Sequence, residues 1–363
     1  MIALLPLILL PVVVAAIFYW VLAKNITAKE FLFMAGLGAA VAGIGFAIAR
    51  AQAMADTETW NGRIQSKNHG SQKCCHCHTV CDRYCETTGS KGGKTRYCCQ
   101  QHEECQHSRD YWWSLSLTMG DDVGVDSCES DETAVPVAWA KAYVGEPAAS
   151  SRGYTNYLKA DPESIIRRNG VPDALVVQVP GHPAVYGFYK VKRLLTSGVK
   201  LTADLASRWE LGLDELNADL GARHQVNVIV LVTGVADPVY ADAVEVAWLL
   251  GRKNDLVFVL GVDDGGVVLW ARIVSISDVE VLRVEAREQL RGADFNNPVA
   301  GLDILRNLVV QHFQRTPLAK YEYLATAAKP SGGVLVFLYV FVIVLTVGLG
   351  VWANREDIFH EKT

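Results

Sequence analysis

The chain has 363 residues, with 39 acidic against 34 basic side chains, and half of its residues are hydrophobic. The formal charge of −5 is spread along the chain, so there is no basic footprint for nucleic acid, and that partner class is excluded. All nine cysteines fall between Cys74 and Cys128, which sets one stretch apart from the rest.

Residues 1–23 carry no charge, and neither do 31–49 and 334–353. Runs of about 20 apolar residues are long enough to cross roughly 30 Å of hydrocarbon, so three transmembrane helices are expected, two of them within 1–50. Pro6 and Pro11 kink a membrane helix without breaking it. The short link KNITAKE sets Lys24 and Lys29 against Glu30. Basic short links stay in the cytoplasm. The large portion between the second and third spans is therefore expected outside, as the periplasmic part of a multi-pass inner-membrane protein. In the second span, Gly36 with Ala40 and Ala39 with Gly43 place small residues four apart, a close-packing face that suits packing on the first span or a homo-oligomer. The following AQAMA-D also fits a signal-peptidase site cutting after Ala55.

The stretch 56–135 is rich in Cys, His, Ser, Thr and charge and poor in aliphatic residues, so cross-links or metal must hold it. Its cysteines are Cys74, Cys75, Cys77, Cys81, Cys85, Cys98, Cys99, Cys105 and Cys128. Their density fits disulfides in an oxidising compartment. Members of the vicinal pairs Cys74-Cys75 and Cys98-Cys99 are expected to bond elsewhere. Cys128 either pairs internally, leaving one free thiol, or links two chains. The alternative is a zinc site using Cys75, His76, Cys77, His78 and Cys81, although the spacing departs from paired C-x2-C turns. After Tyr111-Trp112-Trp113, the run SLSLTMG, 114–120, alternates like a strand. The acidic DDVGVDSCESDE after it reads as a solvated loop.

The connecting segment 136–201 offers a short helix near 162–167 and strand candidates in ALVVQVP and YGFYKVKRLL. Within 202–328, Thr202 starts an amphipathic helix with Leu205, Trp209, Leu213, Leu216 and Leu220 on one stripe and Gly221 as its C-cap. VNVIVLVTG, from Val226, is the pattern of a strand buried on both faces. A helix opened by Asp237-Pro238 leads to a second strand, LVFVLGV, by a parallel crossover. Asp264-Gly265-Gly266 turns that strand into an antiparallel one. Two further helices and a short one lead to the last span. The fold class is therefore mixed α+β and α/β, a membrane protein with a disulfide-stapled segment and a mixed-sheet body. No nucleophile or phosphate-loop motif occurs. Asp237, Asp263 and Asp264 follow the carboxyl ends of strands and are the catalytic candidates of a hydrolase using a divalent cation. Their competing role is as helix cap and hairpin turn.

LVTGVADPVYADAVEVAWLLGRKNDLVFVLGVDDGGVVLWARIV resembles the TPM domain of membrane-tethered extracytoplasmic proteins, with Ala241, Trp248, Gly251, Lys253, Asn254 and Asp255 fitting its pattern over roughly 202–315. The order DTETWNG, CHCHTVC, YTNYLKA and the TPM-like end also resembles uncharacterised membrane proteins of large tailed phages. The resemblance implies a phage-encoded protein at the host inner membrane. Expected partners are membrane lipid, an envelope or membrane protein and a second copy of the chain. The leading expectation is an extracytoplasmic binding or scaffolding protein. A TPM-type metal-dependent phosphatase and a zinc-binding membrane regulator are the alternatives, and no cofactor other than zinc or another divalent cation is implied.

Overall fold

The computed structural model describes residues 4–21, 26–88, 94–160, 170–277 and 279–355. Three helices are long and apolar enough to cross a membrane: α1 (Leu4–Val21), α2 (Ala28–Ala53) and, at the far end of the chain, Gly332–Arg355. α2 begins with a capping box in which the Thr27 hydroxyl accepts from the Glu30 N–H and the Glu30 carboxylate accepts from the Thr27 N–H, satisfying orphan donors of the first turn. The three spans pack on one another. The last buries Leu338, Val342, Thr346 and Gly350, one residue per helical turn. α2 buries Met34, Ala35, Gly38, Ala42, Phe46 and Ala49. The small residues singled out from sequence are displaced from this seam: Gly36 and Ala40 are exposed. Gly38 is the close approach instead, since a Cβ there would lie 2.5 Å from Cβ of Pro11.

The chain runs from α2 almost directly into β1 (Ala55–Lys73), a strand of 19 residues that serves two partners. Its first half pairs antiparallel with β6 (Pro147–Thr155), and its second half with β4 (Arg109–Leu117). The change of partner coincides with a bulge between Ile64 and Ser66, where an extra residue bends the strand. With β5 (Asp122–Glu129) the sheet order is β5-β4-β1-β6. The acidic stretch expected as a loop is therefore largely a strand, because Tyr111, Trp113 and Leu115 of β4 give it ladder partners. A modest core of Ile64, Leu115, Leu117, Val125 and Tyr189 lies on one face of the sheet.

Between β1 and β4 the chain makes a separate two-stranded hairpin, β2 (Cys77–Thr88) with β3 (Lys94–Cys105). No side chain in 77–86 or 96–105 is buried.

After β6 a one-turn helix, α4 (Asp173–Val176), follows α3 (Val137–Lys141) of the β4–β6 region. ALVVQVP is therefore helix and turn, not a strand: Leu175 and Val179 pack down on the α/β core instead of entering a ladder. YGFYKVKRLL supplies the second residue of β7 (Val185–Tyr186), all of β8 (Lys190–Val191) and the start of β9 (Leu194–Ser197). The short helix expected near 162–167 lies outside the described residues.

The second sheet has the order β12-β11-β10-β9. β9, β10 (Asn227–Thr233) and β11 (Asp255–Val262) are parallel, and β12 (Val268–Val274) returns antiparallel to β11. Every residue of β10 and of β11 is buried, the condition of strands covered on both faces. Val228, Val230 and Val232 face α5 (Ala203–His224), α7 (Glu280–Leu290) and α8 (Pro298–His312). Ile229 and Leu231 face α6 (Val239–Trp248) on the other side. The last span, Gly332–Arg355, is α9.

α5 keeps the expected stripe of Leu205, Trp209, Leu213, Leu216 and Leu220 buried. Gly221 does not end it. The helix runs to His224 and is capped by Gln225 at φ 51°, while Gly221 lets the helix lie on β1. A Cβ there would sit 2.5 Å from Cβ of Asn61 and 2.6 Å from its carbonyl oxygen. A collar of Leu158, Ile276, Leu318 and Leu324, with Met54 and Tyr154 packed against it, joins the end of α2 to this body.

Candidate functional site

Two of the three strand-end carboxylates take up backbone roles. Asp237 Oδ1 accepts from the Val239 N–H at 2.9 Å, just ahead of Pro238, the N-cap of α6. Asp263 Oδ1 accepts from Gly265 and Val267 N–H groups at 2.9 and 2.8 Å, closing the β11–β12 turn. Asp263 and Asp264 line a cavity of about 210 Å³ with Lys200, Arg208 and Asn296, and Asp237 is not part of it. Among the described residues, none of the groups of three or more metal-ligating side chains includes Asp237, Asp263 or Asp264.

The cysteines organise the hairpin. Cys77–Cys105, Cys81–Cys98 and Cys85–Cys99 bridge β2 and β3, and Cys75–Cys128 ties the hairpin root to β5. Cys128 thus pairs within the chain, and each bonded member of a vicinal pair bonds elsewhere. Cys74 is the exception among the nine disulfide candidates: it stays a buried thiol. The zinc set read from sequence does not assemble, because Cys75, Cys77 and Cys81 all spend their sulfurs in disulfides. His78 lies 3.8 Å from Glu104 on the exposed hairpin. What gathers instead is Cys74 with His76, His107 and Asp110. Of these, sequence spacing pointed to His76 alone. The signal for the rest is tertiary, since Asp110 comes from the head of β4.

A second polar concentration lies where β1 crosses the edge of the α/β sheet at the amino ends of β10 and β11. The Asn61 amide donates to Asn217 Oδ1, the Val226 carbonyl and Asn227 Oδ1 at 3.2, 3.0 and 3.1 Å. Its own oxygen accepts from Arg193 Nη2 at 2.7 Å. Arg193 also pairs with Asp214, and Glu210 accepts from the Arg193 and Leu194 N–H groups at 3.0 and 3.2 Å. Burial pushes both Glu210 and Asp214 above the usual carboxylate range. Asn227 donates onward to Asp255 Oδ1 at 2.8 Å, and Arg252 N–H to Asp255 Oδ2 at 2.8 Å. His182 Nε2 meets the same oxygen at 2.6 Å. Burial alone raises the Asp255 carboxyl, but His182, Asn227 and the Arg252 N–H outweigh it and hold it below its ordinary range.

His182 borders an open cavity of about 340 Å³ beside Trp248, Arg252, Lys159 and Asp56. A His–Asp pair in a cleft is the skeleton of a general base. Here its chemistry is spent, because Nδ1 also faces the Pro183 carbonyl at 2.8 Å, leaving neither ring nitrogen for a substrate. Among the described residues, the cavity lining contains no Ser, Thr or Cys. The pair therefore fastens the segment 178–183 onto the sheet, helped by Trp248 Nε1 donating to the Pro180 carbonyl at 2.8 Å. Comparison with known proteins gives no match: no family model, no curated protein and no solved structure is similar to this chain.

Proposed function

We propose that the chain is a membrane-anchored extracytoplasmic binding or scaffolding protein, in which the three spans hold the body at the bilayer and the disulfide-laddered hairpin offers the docking element. The observation that carries this reading is the hairpin itself. It buries none of its described side chains in 77–86 and 96–105, yet three disulfides cross-brace it. A two-stranded hairpin is marginal in water without such bracing. Rigidity in an element that contributes nothing to a core suits recognition, since a preorganised surface loses little entropy on binding. Tyr84 and Tyr97 stand 54% and 47% exposed on it, aromatic anchors of the kind that dominate interfaces. The disulfides also favour an oxidising, extracytoplasmic location.

The order of elements in 202–315 supports reading the body as TPM-like. The resemblance to phage membrane proteins supports the host inner membrane as its site and an envelope or membrane protein as its partner. A phosphatase is less well supported, because two of the three candidate carboxylates, Asp237 and Asp263, already serve backbone N–H groups. The test is site-specific photocrosslinking from Tyr84 and Tyr97, with Leu211 on α5 as the control position, in cells carrying the full chain. A discrete adduct with one envelope or membrane protein, from the hairpin positions only, is the expected result. Equal labelling from Leu211, or a hairpin reachable only from the cytosol, would overturn the reading.

A further inference from the structure

Where the hairpin leaves the sheet, two turns face each other. One, between β1 and β2, carries Cys74-x-His76. The other, between β3 and β4, carries His107, and Asp110 follows at the head of β4. The Gln106 N–H donates to the His76 carbonyl at 3.3 Å and ties the turns together. Cys75–Cys128 and Cys77–Cys105 flank His76 on both sides and lock the first turn.

We propose that Cys74, His76, His107 and Asp110 form a tetrahedral structural zinc site. One ligand atom from each of these residues lies within 4.8 Å of all the others. A zinc ion with bonds of about 2.0–2.3 Å sets its ligands roughly 3.3–3.8 Å apart, so a pair at the outer limit closes by about 1–1.5 Å. His76 Nδ1 is already 3.5 Å from Asp110 Oδ2, and His107 Nε2 touches Asp110 Oδ1. Charge also fits: one thiolate and one carboxylate neutralise the dication, and two neutral imidazoles complete the shell. The His76 backbone N–H points at Cys74 Sγ at 3.3 Å, a donor that favours the thiolate and orients it. The Asp110 side chain is fully buried, with the Cys75 N–H also directed at it. A metal there compensates a carboxylate that is otherwise costly to bury. His76 and His107 keep 45% and 26% of their side chains accessible, which gives the ion a path in. Four protein ligands leave no open position, so the site is structural and fixes the angle at which the hairpin leaves the body.

The experiment uses the full chain, purified in detergent without reductant and with its disulfides verified by mass. Metal analysis is expected to give about one zinc per chain, and cobalt exchange a tetrahedral d–d spectrum with a sulfur-to-cobalt charge-transfer band. Cys74→Ser and Asp110→Asn should each lower zinc retention about tenfold or more, while His69→Ala should leave it unchanged. In the unaltered protein, zinc should slow alkylation of Cys74 by a small thiol reagent, a readout that needs no variant to fold. No zinc in the fully disulfide-bonded protein would overturn the proposal. So would retention undiminished in His107→Ala, or zinc that binds only after reduction, which assigns the ion to thiols released from the disulfides.

Discussion

Asn61 holds its place by four side-chain hydrogen bonds that reach α5, β10 and Arg193. Replacing it by Ala orphans the amide's acceptors and one face of a buried guanidinium, each worth about 1–3 kcal/mol. Asn61→Ala is expected to lower stability by about 2 kcal/mol or more, read from denaturant unfolding of the detergent-solubilised protein. An unchanged midpoint would mean that the junction does not depend on this amide. Asp255 makes the pH prediction. Its folded pKa is depressed, so its stabilising contribution is present above the unfolded value of about 3.9 and lost as pH falls through the folded value. Stability should therefore drop below about pH 4. Asp255→Asn should weaken the protein at neutral pH and flatten the acid limb of its stability curve, measured as midpoint against pH. Asp56, Asp121 and Asp219 are depressed too, so the acid limb shallows without disappearing. None of these ties was legible in the sequence. Asn61 sits 156 residues from Asn217, and a lone Asn in a polar stretch carries no sign of burial.

At the scale of elements, α2 and the hairpin give opposite lessons. Gly38 lets α2 approach Pro11 of α1, where a Cβ would lie at 2.5 Å, whereas nothing lies within 4 Å of a Cβ at Gly36. Gly38→Leu should loosen the helix bundle by about 1–3 kcal/mol through overpacking, and Gly36→Leu should not, as measured by resistance to denaturing detergent. Loss of stability from Gly36→Leu would instead point to a second copy of the chain on that face. Small-residue spacing located a packing helix in the sequence. Which small residues meet a partner depends on the rotation of α2 against α1 and α9, and no local pattern sets that rotation. In the hairpin, each disulfide closing a loop of 14 or 17 residues contributes about 3 kcal/mol in the chain-entropy account. Reduction should open 77–105 to protease while 203–312 stays resistant. Equal resistance before and after reduction would show that the hairpin stands without its cross-braces.

Across the whole molecule, two spans precede the body and one follows it. In the proposed topology all three helices cross the bilayer, so the beginning of α1 shares a side with the body and the end of α9 faces the opposite side. Under the proposed topology, Arg355→Cys in intact cells is protected from a membrane-impermeant thiol reagent and becomes reactive only on permeabilisation. Labelling before permeabilisation would invert the protein and remove the oxidising environment on which the hairpin reading depends. The body is continuous between its halves: α5 rests on β1 through Gly221, and Asn254 of the α/β sheet donates to the Thr59 carbonyl.

The sequence by itself determined the features that repeat or accumulate along the chain. These are three uncharged runs, the stripe of α5, the uninterrupted apolar strands β10 and β11, and a stretch too poor in aliphatic residues to stand without cross-links. Hydropathy and periodicity are local sums, so they survive without knowledge of neighbours. Only the tertiary structure decided the pairing of cysteines, the conversion of ALVVQVP to helix and turn, the strand in the acidic stretch, and the meeting of Cys74 and His76 with His107 and Asp110. Each of these depends on which segments fold side by side. That choice is made by burial and strand pairing between residues far apart in the chain.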